Sequence, residues 1–282
     1  MQDAYTHCEA LVRAADKDRY LAALFAPTAA RHHLHALYAF ASEIARVRDA
    51  AREPLPGEIR LQWWRDVVNG VARGEVAASP VAAALLDTVA RCVLPAERLI
   101  ALVDAHAFDL YDDAMSSVAD LDAYAEHTCG TLFALAAQIL GGTDGAGAIA
   151  AAAAPAGIAY GVAQRLRTFP RDLARRQLFV PLDLLRQSGA TREEIEARQN
   201  AAGLRGALAA LRDHARAAYG RFQAVASGIP DSCAPAFLVA ALAPPLLARL
   251  DAAAADPFAS VQVPQWRRQW ALWRAARRWP RV

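Results

Sequence analysis

Apolar residues recur three and four positions apart along most of this chain, over about 28–50, 57–73, 95–114, 119–140, 156–169, 203–226 and 234–253. A helix turns every 3.6 residues, so this spacing gathers them on one face and predicts a series of amphipathic α-helices. Turn-forming residues separate the stretches: Pro54-Leu55-Pro56-Gly57, Ser79-Pro80, Leu94-Pro95, Gly141-Gly142, Gly228-Ile229-Pro230 and Ala243-Pro244-Pro245. Asp18, Ser79 and Asp120 stand before candidate helix starts, where a short oxygen-bearing side chain can accept from free backbone N–H groups. No strand-like alternation runs far enough to build a sheet, and Leu178-Phe179-Val180-Pro181 is too short. The expected fold class is all-α. The alanine- and glycine-rich run from Gly142 to Pro155 is expected to be a connection inside one helical domain covering 1–282, with 256–282 as a Trp- and Arg-rich C-terminal helix.

Composition supports a packed interior, since 55% of the 282 residues are hydrophobic and 21% charged. The net charge of +2 gives no electrostatic case for a nucleic-acid partner. Cys8, Cys92, Cys129 and Cys233 are scattered with no CxxC pair, which argues against a disulfide framework or a zinc site and fits a reducing, cytoplasmic location. The first residues, Met1 to Glu9, lack the apolar core of a signal peptide, and no run of 18 uninterrupted apolar residues predicts a membrane span.

The last segment is distinctive. Trp266, Trp270 and Trp273 fall on one helical stripe, flanked by Arg267, Arg268, Arg274, Arg278 and Arg281, with Trp279 beyond. Such a helix suits the inner face of the cytoplasmic membrane, with rings at headgroup depth and arginines on lipid phosphate. The expectation, however, is that a terminal helix docks on its domain with the tryptophans buried and the arginines in water. Asp109, Asp112 and Asp113 include a DxxxD spacing but have no second carboxylate pair, and are read as a solvated helix face. His32, His33 and His35 are too closely spaced for a metal pair at i, i+4, and read as a polar helix start.

Two further segments carry candidate chemistry: Tyr38-Ala-Phe-Ala-Ser-Glu-Ile-Ala-Arg-Val-Arg-Asp49, and Gln164-Arg-Leu-Arg-Thr-Phe-Pro-Arg-Asp172 followed by Leu-Ala-Arg-Arg-Gln-Leu-Phe-Val-Pro181. They resemble the two motif helices of the squalene/phytoene synthase family, a YAFCR-like segment leading into DxxxD and a Q-x-x-N-x-x-R-D-x-x-x-D helix. Arg19 to Pro27, Arg60-Leu-Gln-Trp-Trp-Arg65 with Gly74, Leu99 to Leu110, and Tyr124 to Thr131 resemble further family segments in the same order. Glu43-Ile-Ala-Arg-Val-Arg-Asp49, Arg165-Leu-Arg-Thr-Phe-Pro170 and Pro235-Ala-Phe-Leu238 are most similar to a divergent branch, the mitochondrial assembly factors for respiratory complex I and their proteobacterial relatives. The resemblance implies an isoprenoid-synthase-type helical domain with a central, elongated apolar cavity, and a helper in membrane-complex assembly.

The family's paired aspartates hold Mg²⁺ ions that stabilise charge on a departing diphosphate. At 45 and 49 this chain has Ala45 and Asp49, and at 168 and 172 it has Thr168 and Asp172, so each pair keeps only its trailing acid. Arg171 stands where an acid is usual, and residues 164–172 carry three arginines against one aspartate, a sign that repels free Mg²⁺. Pro170 is expected to interrupt the second helix. Asp49 is expected to pair with Arg46 or Arg52, and Asp172 with Arg176, as helix neighbours.

The resulting expectation is a non-catalytic or unconventional family member needing no cofactor. Tyr38, Arg46, Asp49, Gln164, Arg167, Arg171 and Asp172 are its candidate binding residues. At the cavity mouth Arg46, Arg167 and Arg171 would grip an isoprenoid diphosphate or a lipid head without metal. Subunits of a respiratory complex are the implied protein partners. The alternative is an active head-to-head prenyltransferase using Glu43, Asp49 and Asp172 as a reduced Mg²⁺ ligand set.

Overall fold

A computed structural model describes residues 1–50, 53–72, 76–141, 145–199 and 201–280. Arg52, Gly74, residues 142–144 of the glycine-rich run, and Arg281 lie outside the described residues. The chain runs through α1 (Gln2–Ala15), α2 (Lys17–Ala23), α3 (Thr28–Ala45), α4 (Val47–Ala50), α5 (Pro54–Val68), α6 (Pro80–Cys92), α7 (Ala96–Ala105) and α8 (Val118–Ala125). It continues through α9 (Thr131–Ile139), α10 (Ala146–Ala174), α11 (Leu182–Gln187), α12 (Arg192–Glu196), α13 (Ala201–Val225), α14 (Ala234–Phe237), α15 (Ala243–Ala252) and α16 (Gln265–Arg278). Among the described residues the β-pairing is confined to a lone parallel bridge between Ala114 and Leu178. The fold is all-α, as the periodicity predicts.

Helix α10 is the axis of the molecule. It packs against α13, α8, α9 and α15, while α1, α3 and α6 form a second layer that meets α9. Buried apolar residues from Tyr5 to Ala275 make one continuous cluster. By length and composition two helical stretches, Ala146–Ala174 and Asp231–Ala252, could cross a membrane, but more than half of each is buried against the rest of the protein.

Four local expectations are corrected. The alanine run after Gly145 is the start of α10 rather than a connection: alanine has the best helix propensity, which an amphipathic-pattern reading does not register. Helix α10 also passes through both Pro155 and Pro170 to end at Ala174, because packing along its length outweighs the lost backbone hydrogen bonds. Ser79 does cap α6, but Asp16 and Ser117 cap α2 and α8 where Asp18 and Asp120 were expected. Finally, α16 turns its largest apolar side chains outward. Trp266, Trp270 and Trp273 are 63%, 57% and 43% exposed, whereas Leu272 and Ala275 on the opposite stripe are buried.

Between α8 and α9 the residues Glu126–Gly130 form a single π-helical turn, which places Gly130 against Gly157 of α10. A Cβ on Gly157 would lie 2.4 Å from the Gly130 backbone nitrogen. The two backbones meet because neither residue has a side chain, and this contact sets the distance between the helices that carry Tyr124 and Arg165. Gly157→Ala is therefore expected to destabilise the protein by about 2–3 kcal/mol, since both neighbours are main chain and must move apart. A urea-unfolding midpoint unchanged from the wild type would contradict this close contact.

Candidate functional site

The two motif segments meet at the C-terminal ends of α3 and α10. Tyr38 is buried, with the Arg19 guanidinium 5.7 Å from its ring and 5.4 Å from that of Tyr160. Arg19 is fixed by an ion pair with Asp16 at 2.7 Å. Burial pushes the Tyr38 phenol well above its usual pKa, so it stays a neutral donor. Glu43 pairs with Arg60 at 2.9 Å. Arg48 reaches the Leu110 carbonyl at 3.1 Å and Asp112 at 2.9 Å. Arg46 is exposed and makes no ion pair among the described residues.

Asp49 and Asp172 have different fates. Asp49 is half exposed and ion-paired with Arg175, not with Arg46. Asp172 is 3% exposed. It accepts from the Thr168 hydroxyl at 2.6 Å and has Arg171 at 3.3 Å and Arg165 at 3.6 Å, with no contact to Arg176. Counted from Gln164, the family pattern Q-x-x-N-x-x-R-D-x-x-x-D puts its two acids at 171 and 175 rather than at 168 and 172 as expected, and this chain has arginine at both, so the second pair keeps neither acid. On a helix, residues 171 and 175 share a face and residue 172 points about 100° away. The side chain presented to the first motif is therefore Arg175, and Asp172 belongs to the interior.

Arg165 organises that interior. Its guanidinium lies 4.4 Å from the Phe179 ring and 5.5 Å from the Tyr124 ring. Tyr124 donates to Asp109 at 3.0 Å, His106 Nδ1 sits 2.7 Å from the same carboxylate, and Gln177 donates to the Asp109 carbonyl at 2.7 Å. Burial pushes the Asp109 carboxyl up, but His106, Arg165 and Tyr124 outweigh it and hold it below the usual range. Burial likewise opposes the Arg165 charge, yet Tyr124, Asp109 and Asp172 keep its pKa above the ordinary value. Asp109 is thus a buried member of a charge network, not part of a solvated face. It lies in a short 3₁₀ segment, so Asp109 and Asp113 do not form a helical pair. The His106–Asp109 spacing of three was the sequence signal for this pairing.

The arginines proposed for an anion do not converge as expected. Arg167 donates to Gln164 at 2.7 Å and lines a polar pocket with Asp18, Gln262 and Arg268, which has about 530 Å³ of empty space, part of it open to solvent. Burial, with Arg171 and Arg268 nearby, lowers the Arg167 pKa. Asp18 and Arg268 are 2.8 Å apart, and among the described residues Asp18 Oδ1 and Arg268 Nε have no aligned hydrogen-bond partner. The apolar cavity beside Asp172 is small. It has about 280 Å³ of empty space and is lined by Leu121, Val162, Leu166, Phe169, Phe179 and Leu211. Phe169 and Phe179 are among its walls.

The residues present do not suit Mg²⁺, which needs several oxygen donors on one centre. Among the described residues no three His, Cys, Asp or Glu side chains are grouped to share an ion. Glu43, Asp49 and Asp172 are each held by a different arginine.

Arg165→Met would leave Asp109 and Asp172 buried without their shared counter-charge, and is expected to cost about 3 kcal/mol in a denaturant melt. Asp18 gives a pH prediction. Burial, partly offset by Arg268, raises its pKa from 3.8 to about 6. The folded acid therefore keeps its proton to higher pH than the unfolded one, so its contribution to stability falls as pH rises through about 4 to 6. Asp18→Asn is expected to flatten the stability–pH profile in that window by about 2–3 kcal/mol. An identical slope in the variant would show that Asp18 ionises normally.

Known proteins share this sequence pattern and fold. The family model for squalene/phytoene synthase matches residues 12–274. A Rattus norvegicus protein named NADH dehydrogenase (ubiquinone) complex I, assembly factor 6 is 31% identical over 238 residues, 84% of this chain and 70% of that one. A Thermus thermophilus phytoene synthase is 30% identical over 214 residues, 74% of this chain and 70% of the relative. Among solved structures, a squalene synthase from Alicyclobacillus acidocaldarius aligns over 91% of this chain and 96% of its own with a TM-score of 0.72 at 25% identity. A dehydrosqualene synthase aligns over 97% and 95% with a TM-score of 0.81 at 17% identity, a likeness of fold. By the extent of the family match and the shared helical architecture, the chain belongs to the squalene/phytoene synthase family.

Proposed function

We propose that this chain is a family member that does not ionise prenyl diphosphates and instead helps assemble a respiratory membrane complex. The observation that carries the first part is the ion pair between Asp49 and Arg175. It joins the two motif segments through a guanidinium where the family pattern would have carboxylates and ions. A metal cluster gathers charge on the leaving diphosphate; a single guanidinium locked to an aspartate does not replace it. Support for the assembly role is the 31% identity to the rat assembly factor over 84% of this chain.

Arg46, Arg171 and Arg175 remain at the rim, and a diphosphate or lipid phosphate would compete with Asp49 and Asp172 for the last two of them. Guanidinium groups bind phosphate oxygens without metal. Arg167, turned into its own pocket, is not required for this contact. The competing reading is a working head-to-head prenyltransferase, favoured by the 30% identity to the Thermus phytoene synthase.

Incubation of the purified protein with farnesyl or geranylgeranyl diphosphate, Mg²⁺ and NADPH separates the two. No squalene- or phytoene-like product is expected, and turnover abolished by Asp172→Asn would establish the enzyme instead. In titrations with a non-hydrolysable prenyl-diphosphate analogue, binding is expected to persist in EDTA and to weaken about tenfold in Arg171→Gln/Arg175→Gln. Binding that requires Mg²⁺ would overturn the metal-free reading. Deletion of the gene in its host is expected to lower the amount of assembled NADH dehydrogenase complex on native gels, and unchanged assembly would remove the second part.

A further inference from the structure

We propose that α16 is a lipid-surface helix whose outward tryptophan stripe seats in the headgroup region of an anionic bilayer. The inference is independent of any ligand at the motif site. It starts from an inversion. Arg268, Leu272 and Ala275 form the stripe that faces the protein, against α2 and residues 238–242, and Arg268 is anchored by the buried Asp18. The larger apolar residues, Trp266, Trp270 and Trp273, are on the other side in solvent. A helix that served only to complete the core would bury its tryptophans and expose its alanines.

The exposed face is wider than one helix. Leu24 and Phe25, at the end of α2, are 41% and 43% exposed and line a shallow depression with Gln269 and Leu272. Gln269 also borders the surface formed by Trp266, Trp270 and Trp273, so the two apolar areas adjoin. Trp270 and Trp273 stack with ring centres 4.9 Å apart, and Arg267 and Arg277 lie 5.1 and 5.2 Å from the rings of Trp266 and Trp273. Rings carrying guanidinium groups over their faces suit the boundary between acyl chains and phosphates.

Charge selects the occupant. Gln265–Arg278 contains five arginines and no acid. Arg267, Arg274, Arg277 and Arg278 form no ion pair among the described residues, and no Asp or Glu lines the depressions along either side of the tryptophan stripe. A second copy of this chain would bring the same positive surface to a two-fold contact, so self-association is disfavoured by like charge. An anionic lipid surface offers phosphate to every arginine at once.

The test is flotation of the full-length protein with vesicles of phosphatidylcholine alone and of phosphatidylcholine mixed with phosphatidylglycerol. Binding is expected only to the anionic vesicles and should weaken in high salt. Trp266→Ala/Trp270→Ala/Trp273→Ala is expected to reduce it about tenfold or more, and Arg267→Gln/Arg274→Gln/Arg277→Gln/Arg278→Gln similarly. Should the triple variant misfold, quenching of wild-type tryptophan fluorescence by acyl-chain-brominated lipid reports ring insertion directly. Absence of binding to anionic vesicles, or undiminished binding by a folded triple variant, would overturn the proposal. So would concentration-dependent dimerisation through this face, or capture of an acidic protein on it, without vesicle binding.

Discussion

A carboxylate enclosed in a helical bundle has to be matched by a positive charge, and here the matching charges are guanidinium groups on α10 and at its C-terminal end. Arg165 stands between Asp172 and Asp109, and Arg175 reaches across to Asp49. Because Arg165 is part of α10 and Arg175 follows its last residue, these counter-charges are built into the chain. Each carboxylate has its lone pairs directed to a fixed donor, which lowers its availability to a metal. The Tyr124, His106 and Gln177 contacts then hold Asp109, so the network ties the 3₁₀ segment and α8 to α10.

That network depends on how closely the helices approach. Gly130 and Gly157 allow main chain to touch main chain, and the π turn at Glu126–Gly130 supplies the local offset. With α8 and α10 drawn together, Phe179 stacks on Arg165, and with Phe169 it fills the space beside Asp172.

Helix α16 follows a different balance. The Asp18–Arg268 ion pair and the small residues facing α2 let it dock through a narrow stripe, leaving the tryptophans outside. Burial of Asp18 in this contact pushes its carboxyl pKa up, with Arg268 partly offsetting the shift. Such a helix is held in place while its strongest apolar surface remains open.

The all-α architecture was legible in the spacing of apolar residues, because a helix's periodicity is a local property of the chain. So was the family, since its motif segments occur in order, and so was the shortage of acids at the motif positions. Three things required the folded molecule. Which of Asp172 and Arg175 faces the first motif is decided by the rotation of α10 and the side chains packed around it, and helix-neighbour pairing suggested Arg176 for Asp172 and Arg46 or Arg52 for Asp49 instead. The burial of Asp109 depends on Arg165 and Tyr124, which are 56 and 15 residues away in sequence. The outward turn of the tryptophan stripe was hidden because an amphipathic pattern identifies two faces of a helix without saying which meets the protein; that depends on Asp18, some 250 residues earlier, supplying a buried partner for Arg268.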